Sequence, residues 1–359
     1  MRIPASIKFI IVAAAVGGIF GVGGAAITTI YLTDYAGWVA ELSLPVSPSR
    51  DGRASVNDAE AVREKVLGAV VQVFPLERGS ALRMYRPDRA LASGVVLTSD
   101  GWLLVPTIPS VDLFKAEFII GRAAYKADRV EQETLYPFSF VKIAAQNLPV
   151  VAFGEGLSVS SGDRVFAAPS RQALLSTSVF DMRFGTELVR SSDMLARRWF
   201  LAESSAFPLL GSPVVDQSGS LIGMVEAIES ARPRILPIEA LIPAFQSLLQ
   251  KGLISHPALG LRGIDVSRAV GLPASILSRG MENGFFVYGR GSVASAGAAK
   301  SAGIAEGDII LSIEGQALGY RKSLDEYLAS LRPGDEIALR IDRAGKLMDM
   351  RATLGSDRP

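Results

Sequence analysis

The sequence predicts a mainly β chain carried behind one apolar N-terminal helix. Three observations lead there. Residues Phe9–Leu32 carry no charged side chain. Further on, short apolar runs alternate and are parted by glycine-bearing turns, as in Ala92–Val105 (ASGVVLTSDGWLLV) and Pro213–Val225 (PVVDQSGSLIGMV), the pattern of β-hairpins. Helical apolar spacing, by contrast, marks only short stretches such as Ile238–Gln250 and Ser323–Leu331.

Taken in order, the apolar run comes first. At 1.5 Å per residue a helix over Phe9–Leu32 spans roughly 36 Å, enough for a hydrocarbon core of about 30 Å. Arg2 and Lys8 precede it, and Asp34 and Glu41 follow. The positive-inside bias then keeps the N-terminus in the cytoplasm and sends the rest of the chain outside. Residues 1–33 read as a cytoplasmic tip and single-pass transmembrane anchor, with the bulk of the chain extracytoplasmic. A cleaved signal peptide is the alternative, with small residues at Gly23–Ala26, but the run is longer than the usual h-region. Gly17 and Gly21 give a weak helix-pairing signal. Residues 34–55, with Pro45 and Pro48, read as a tether.

Asn57 or Asp58 is expected to cap a short helix ending near Leu67. Ala69–Phe74 reads as the first strand, and the arginine-bearing Leu76–Arg89 as an exposed loop. The helical stretch Ile238–Gln250 stops at Lys251-Gly252.

Composition removes several function classes. The 37 Lys+Arg nearly balance 36 Asp+Glu, which gives no case for nucleic acid. Cysteine is absent, so disulfides, thiol catalysis and cysteine metal sites are excluded. There is no phosphate-binding loop or His/acid metal cluster, so no cofactor and no metal are expected. The one histidine, His256, lies far along the chain from every hydroxyl-bearing hairpin and reads as a surface linker residue rather than a catalytic base.

The stretch Phe207–Val225, FPLLGSPVVDQSGSLIGMV, resembles the nucleophile loop of trypsin-fold proteases of the HtrA family, G-N-S-G-G-P-L-V followed by a turn and V-I-G-I. Gly211, Pro213, Val215, Gly219, Ile222 and Gly223 stand at its framework positions. Ala92–Val105 resembles the strand, turn and strand that precede the family's catalytic histidine, and Phe138–Ala168 the stretch that follows its aspartate. The resemblance implies a trypsin-like double β-barrel domain over residues 56–250. It also places Ile108 at the histidine, Pro137 at the aspartate and Leu210 at the serine. None of the three can act as base, orienter or nucleophile. Pro208 stands where a glycine N–H would face the oxyanion, and proline has no N–H. Arg171–Leu201 matches the family poorly.

Residues 257–355 resemble the PDZ domain attached to these proteases, carried by ALGLRGIDV (Ala258–Val266), GAAKSAGIAEGDIILSIEGQAL (Gly297–Leu318) and the alternating Pro333–Gly355. The resemblance implies a peptide groove with Ala258, Leu259, Gly260 and Leu261 as the carboxylate loop and Leu324 and Leu328 on the helix wall. The expected partner is a polypeptide or protein C-terminus. Family members commonly form trimers, so a homotrimer is implied as well.

The reading that follows is a non-enzyme: a membrane-tethered pseudoprotease of envelope protein quality control, in a bacterial inner membrane with its bulk in the periplasm. The alternative is an active HtrA-like serine endopeptidase with non-standard residues, for which Ser212, Ser204, Ser205 and Glu203 are the nearby groups. No lysine lies between Lys142 and Lys251 to activate a hydroxyl there.

Overall fold

Two β-domains in series make up the chain beyond residue 57, and Asp58–Pro359 form a single unit. A computed structural model describes residues 52–76, 84–185, 187–202, 210–277 and 279–357. The apolar run 9–32, residues 34–51 of the expected tether, Glu203–Ser205 and Pro208 lie outside the described residues, while residues 52–55 of that tether are helical. Among the described residues no helix is long and apolar enough to cross a membrane.

Helix α1 spans Gly52–Val66, starting several residues before the expected cap. Val62 and Val66 are buried and seat its end on the first sheet. That sheet holds β1 (Val70–Pro75), β2 (Ala92–Val96), β3 (Trp102–Pro106), β4 (Ala116–Ile120), β5 (Ala123–Tyr125), β6 (Ala127–Gln132) and β7 (Phe138–Ile143), in the order β5-β4-β1-β2-β3-β7-β6. The hairpin read from Ala92–Val105 is real, with Val95 opposite Leu104. β2 and β3 are buried on both faces, so their sequence is nearly continuous in apolar residues rather than strictly alternating. The expected first barrel is a seven-stranded sheet.

The second half closes. Strands β8 (Arg164–Ser170), β9 (Ala173–Phe184), β11 (Arg197–Leu201), β12 (Pro213–Val215), β13 (Leu221–Glu229) and β14 (Arg232–Pro237) form a barrel in the order β11-β14-β13-β12-β8-β9. The buried Trp199 fills it. A Cβ at Gly223 would meet Ile235 Cγ2 at 2.6 Å and Trp199 Cζ2 at 3.0 Å, so this position accepts no side chain. The two-residue strand β10 (Arg190–Ser191) belongs to neither protease-like sheet; it pairs with the C-terminal domain. Helix α2 (Ile242–Lys251) packs Phe245 on Phe140, centroids 5.3 Å apart. Gly252, at φ +75°, donates its N–H to the Leu248 carbonyl and ends the helix in the left-handed conformation glycine tolerates.

The C-terminal domain is built on β16 (Arg262–Asp265), β17 (Phe285–Val287), β18 (Ile309–Ile313), β20 (Glu336–Arg343) and β21 (Lys346–Thr353), with β19 (Gln316–Ala317) beside β18 and the small pair β15 (Pro257–Ala258) and β22 (Gly355–Ser356). Three short helices, α3 (Ala274–Leu277), α4 (Ala298–Ser301) and α5 (Leu324–Leu328), cap it. Glu326 accepts the N–H of Ser323 at 3.1 Å, which sets the start of α5.

Candidate functional site

The fold brings near one another the three positions that the resemblance assigns to a triad. Gly211 packs its backbone on the end of β3: a Cβ there would lie 2.2 Å from the Ser93 carbonyl oxygen and 2.3 Å from Pro106 Cδ. Ser93 donates its backbone N–H to the Leu210 carbonyl at 2.8 Å. One residue past Pro106, Thr107 donates its N–H to the Pro137 carbonyl at 2.9 Å. Positions 108, 137 and 210 therefore line one junction between the two halves. Ile108 is half-buried and packs against the core, Pro137 is exposed, and Leu210 is half-buried. Among the described polar groups in this neighbourhood are three hydroxyls. Thr107 Oγ1 and Ser139 Oγ are 2.7 Å apart, and Ser212 is fully buried. A cavity of about 420 Å³ opens beside Pro137. On its wall Glu226 accepts from Arg198 Nε at 2.6 Å and Arg234 Nε at 2.7 Å.

His256 is not a surface residue. It is 4% exposed, its Nε2 lies 2.8 Å from Glu133 Oε1, and its N–H donates to Asp357 at 2.7 Å. The same Glu133 oxygen accepts the N–H groups of Thr134 and Leu135, both at 2.8 Å. The sequence reading failed here because the partner acid lies 123 residues away. The pair ties the C-terminal domain to the β6–β7 loop. Burial pushes the neighbouring Tyr136 hydroxyl up from its ordinary value.

The predicted carboxylate loop does hold a carboxylate, and it comes from this chain. Leu259 N–H donates to Asp193 Oδ1 at 2.9 Å, and Gly260 N–H reaches both oxygens, at 3.2 and 3.0 Å. Leu261 N–H donates to Ser192 Oγ at 3.2 Å. Burial pushes the Asp193 carboxyl up, opposed by hydrogen bonds from Ser192, Leu259 and Gly260, while the charge of Asp357 adds to the rise. The side chains of Leu259, Leu261, Leu324 and Leu328 are packed into the domain core, and Ala258 is half-buried in β15. What faces the bound carboxylate is backbone, as an anion-binding turn requires.

Sequence reasoning missed Asp193, Ser192 and Arg190. They sit in the stretch that matched the family poorly, and no local pattern marks an aspartate whose partners are 66 residues on. Arg197, whose Nε donates to Glu326 Oε1 of α5 at 2.8 Å from 129 residues away, was missed for the same reason.

Comparison with known proteins accords with this geometry. The PDZ domain family matches residues 257–354. The serine protease Do-like HtrA of Lactobacillus helveticus is 28% identical over 162 residues, 40% of this chain and 37% of its own length. A DegP-like protein of Pseudomonas putida (strain GB-1), named as a probable periplasmic serine endoprotease, is 23% identical over 299 residues, 76% of this chain and 57% of its own. The chain thus spans less than two thirds of the length of these relatives. Among solved structures, the HtrA-type protease AlgW with a tripeptide aligns with a TM-score of 0.59 at 20% identity, over 84% of this chain and 98% of that one. AlgW with a decapeptide gives 0.56. At such identity the likeness shows the fold. The expectation of a non-enzyme is corrected by the sequence relatives, which are named serine proteases. The chain is HtrA-like, a trypsin-like protease fold followed by a PDZ domain.

Proposed function

We propose that this chain is an HtrA-like serine endopeptidase of protein quality control, which takes hold of polypeptides through its PDZ domain and hydrolyses them with residues other than those at 108, 137 and 210. The observation that carries the polypeptide-binding part is the loop at Leu259–Leu261, whose backbone N–H groups converge on a carboxylate. The serine-protease names of the relatives support hydrolysis. The hydroxyls near these positions among the described residues are that of the half-buried Thr107, which meets the buried Ser139 at 2.7 Å, and that of the buried Ser212, two residues past Leu210. Without an imidazole at 108 the turnover is slow. Enzymes stripped of triad members retain about 1,000–10,000-fold catalysis over water from the oxyanion hole and binding, and Pro208 withholds one N–H from such a hole here.

The apolar run 9–32 supports a single-pass anchor in a bacterial inner membrane, with the two domains on the periplasmic side. A homotrimer is part of the same reading, on the likeness to HtrA-type proteases. The test is casein cleavage and fluorophosphonate labelling by the purified full chain. Slow cleavage that falls in Thr107→Ala or Ser212→Ala is the expected result. No cleavage above the buffer rate would overturn the proteolytic part.

A further inference from the structure

Residues Arg190–Asp193 lie on the PDZ domain as an added strand. β10 pairs antiparallel with β16, Arg190 opposite Gly263 and Ser191 opposite Arg262. Ser192 continues the ladder, donating its N–H to the Leu261 carbonyl at 2.9 Å. The strand runs toward the Leu259–Leu261 loop, and at its end the Asp193 carboxylate takes the Leu259 and Gly260 N–H groups. A strand that ends in a carboxylate on backbone N–H donors is what a polypeptide C-terminus offers such a groove. Here the chain does not end: it turns at Asp193, whose N–H is braced by Ser191 Oγ at 3.2 Å. Both walls are engaged. Arg190 Nη2 lies 3.3 Å from Asp265 on β16, and Ala196 N–H donates to Asp325 of α5 at 2.8 Å.

We propose that Arg190–Asp193 is a built-in ligand of the PDZ groove, with the Asp193 side chain in the place of a terminal carboxylate. A free chain end binds only after this segment has left. The proposal rests on the polypeptide-binding reading given above. The segment is fit to leave, because β10 has only two paired residues, and short pairings open at low free-energy cost.

The test uses the full chain, wild type against Asp193→Ala and Asp193→Asn, the latter keeping side-chain shape in case the alanine variant misfolds. Amide exchange at residues 258–262 is followed, along with anisotropy of fluorescein-labelled peptides ending in Leu, Val or Phe, each as free acid and as amide. Faster exchange at Leu259–Leu261 in the variants, with about tenfold tighter binding of the free acids only, is expected. Unchanged exchange in both variants overturns the proposal, as does wild-type binding as tight as that of the variants. Faster exchange with no peptide bound by any protein upholds the built-in ligand and instead removes the polypeptide-binding reading.

Discussion

Arg197, at the start of β11, reaches out of the barrel and forks onto Glu326 of the PDZ helix, Nε to Oε1 at 2.8 Å and Nη2 to Oε2 at 3.2 Å. The two side chains are 7% and 1% exposed. The same guanidinium donates to the carbonyls of Leu157 and Arg321, so its donors are shared between the two domains. Glu326 in turn fixes the first turn of α5. The groove wall is thus held by the protease-like domain.

Arg197→Leu is expected to cost about 1–3 kcal/mol in urea unfolding, because it takes one hydrogen-bonded cation from the buried Glu326 and leaves it only Arg268, at 3.3 Å. Arg351→Ala, which breaks the exposed pair with Glu336, should cost under about 1 kcal/mol. Equal effects of the two would show that the buried contact does not join the domains in solution.

His256→Ala should destabilise the chain by about 1–3 kcal/mol, the cost of leaving part of the buried Glu133 carboxylate without its partner. It should leave any casein turnover of the folded protein unchanged. A loss of turnover without a loss of stability would make the imidazole a catalytic group.

Leu210→Ser alone should not raise turnover, because Ile108 and Pro137 supply neither base nor orienting acid and triad members act as a unit. The triple change Ile108→His, Pro137→Asp, Leu210→Ser is the variant to compare with it in the casein assay. A hundredfold gain from the single change would show that the base lies elsewhere in the junction.

The sequence by itself determined the β-hairpins at 92–105 and 213–225, helix α2 and the PDZ domain. Each is written locally: alternation, a glycine at a turn, a helical spacing closed by a glycine. Gly211 and Gly223 were legible as framework glycines, though only the packing of Ser93, Pro106 and Trp199 against them shows why a side chain is barred. The tertiary structure alone decided what His256, Arg197 and Asp193 do. Their partners, Glu133, Glu326 and the Leu259–Gly260 amides, lie 123, 129 and 66–67 residues away. No local period encodes such pairings, because charged groups find each other only after apolar burial has packed the two domains together. That same packing withdraws His256 from solvent and fills the PDZ carboxylate loop with a side chain that the sequence presents as an ordinary loop aspartate.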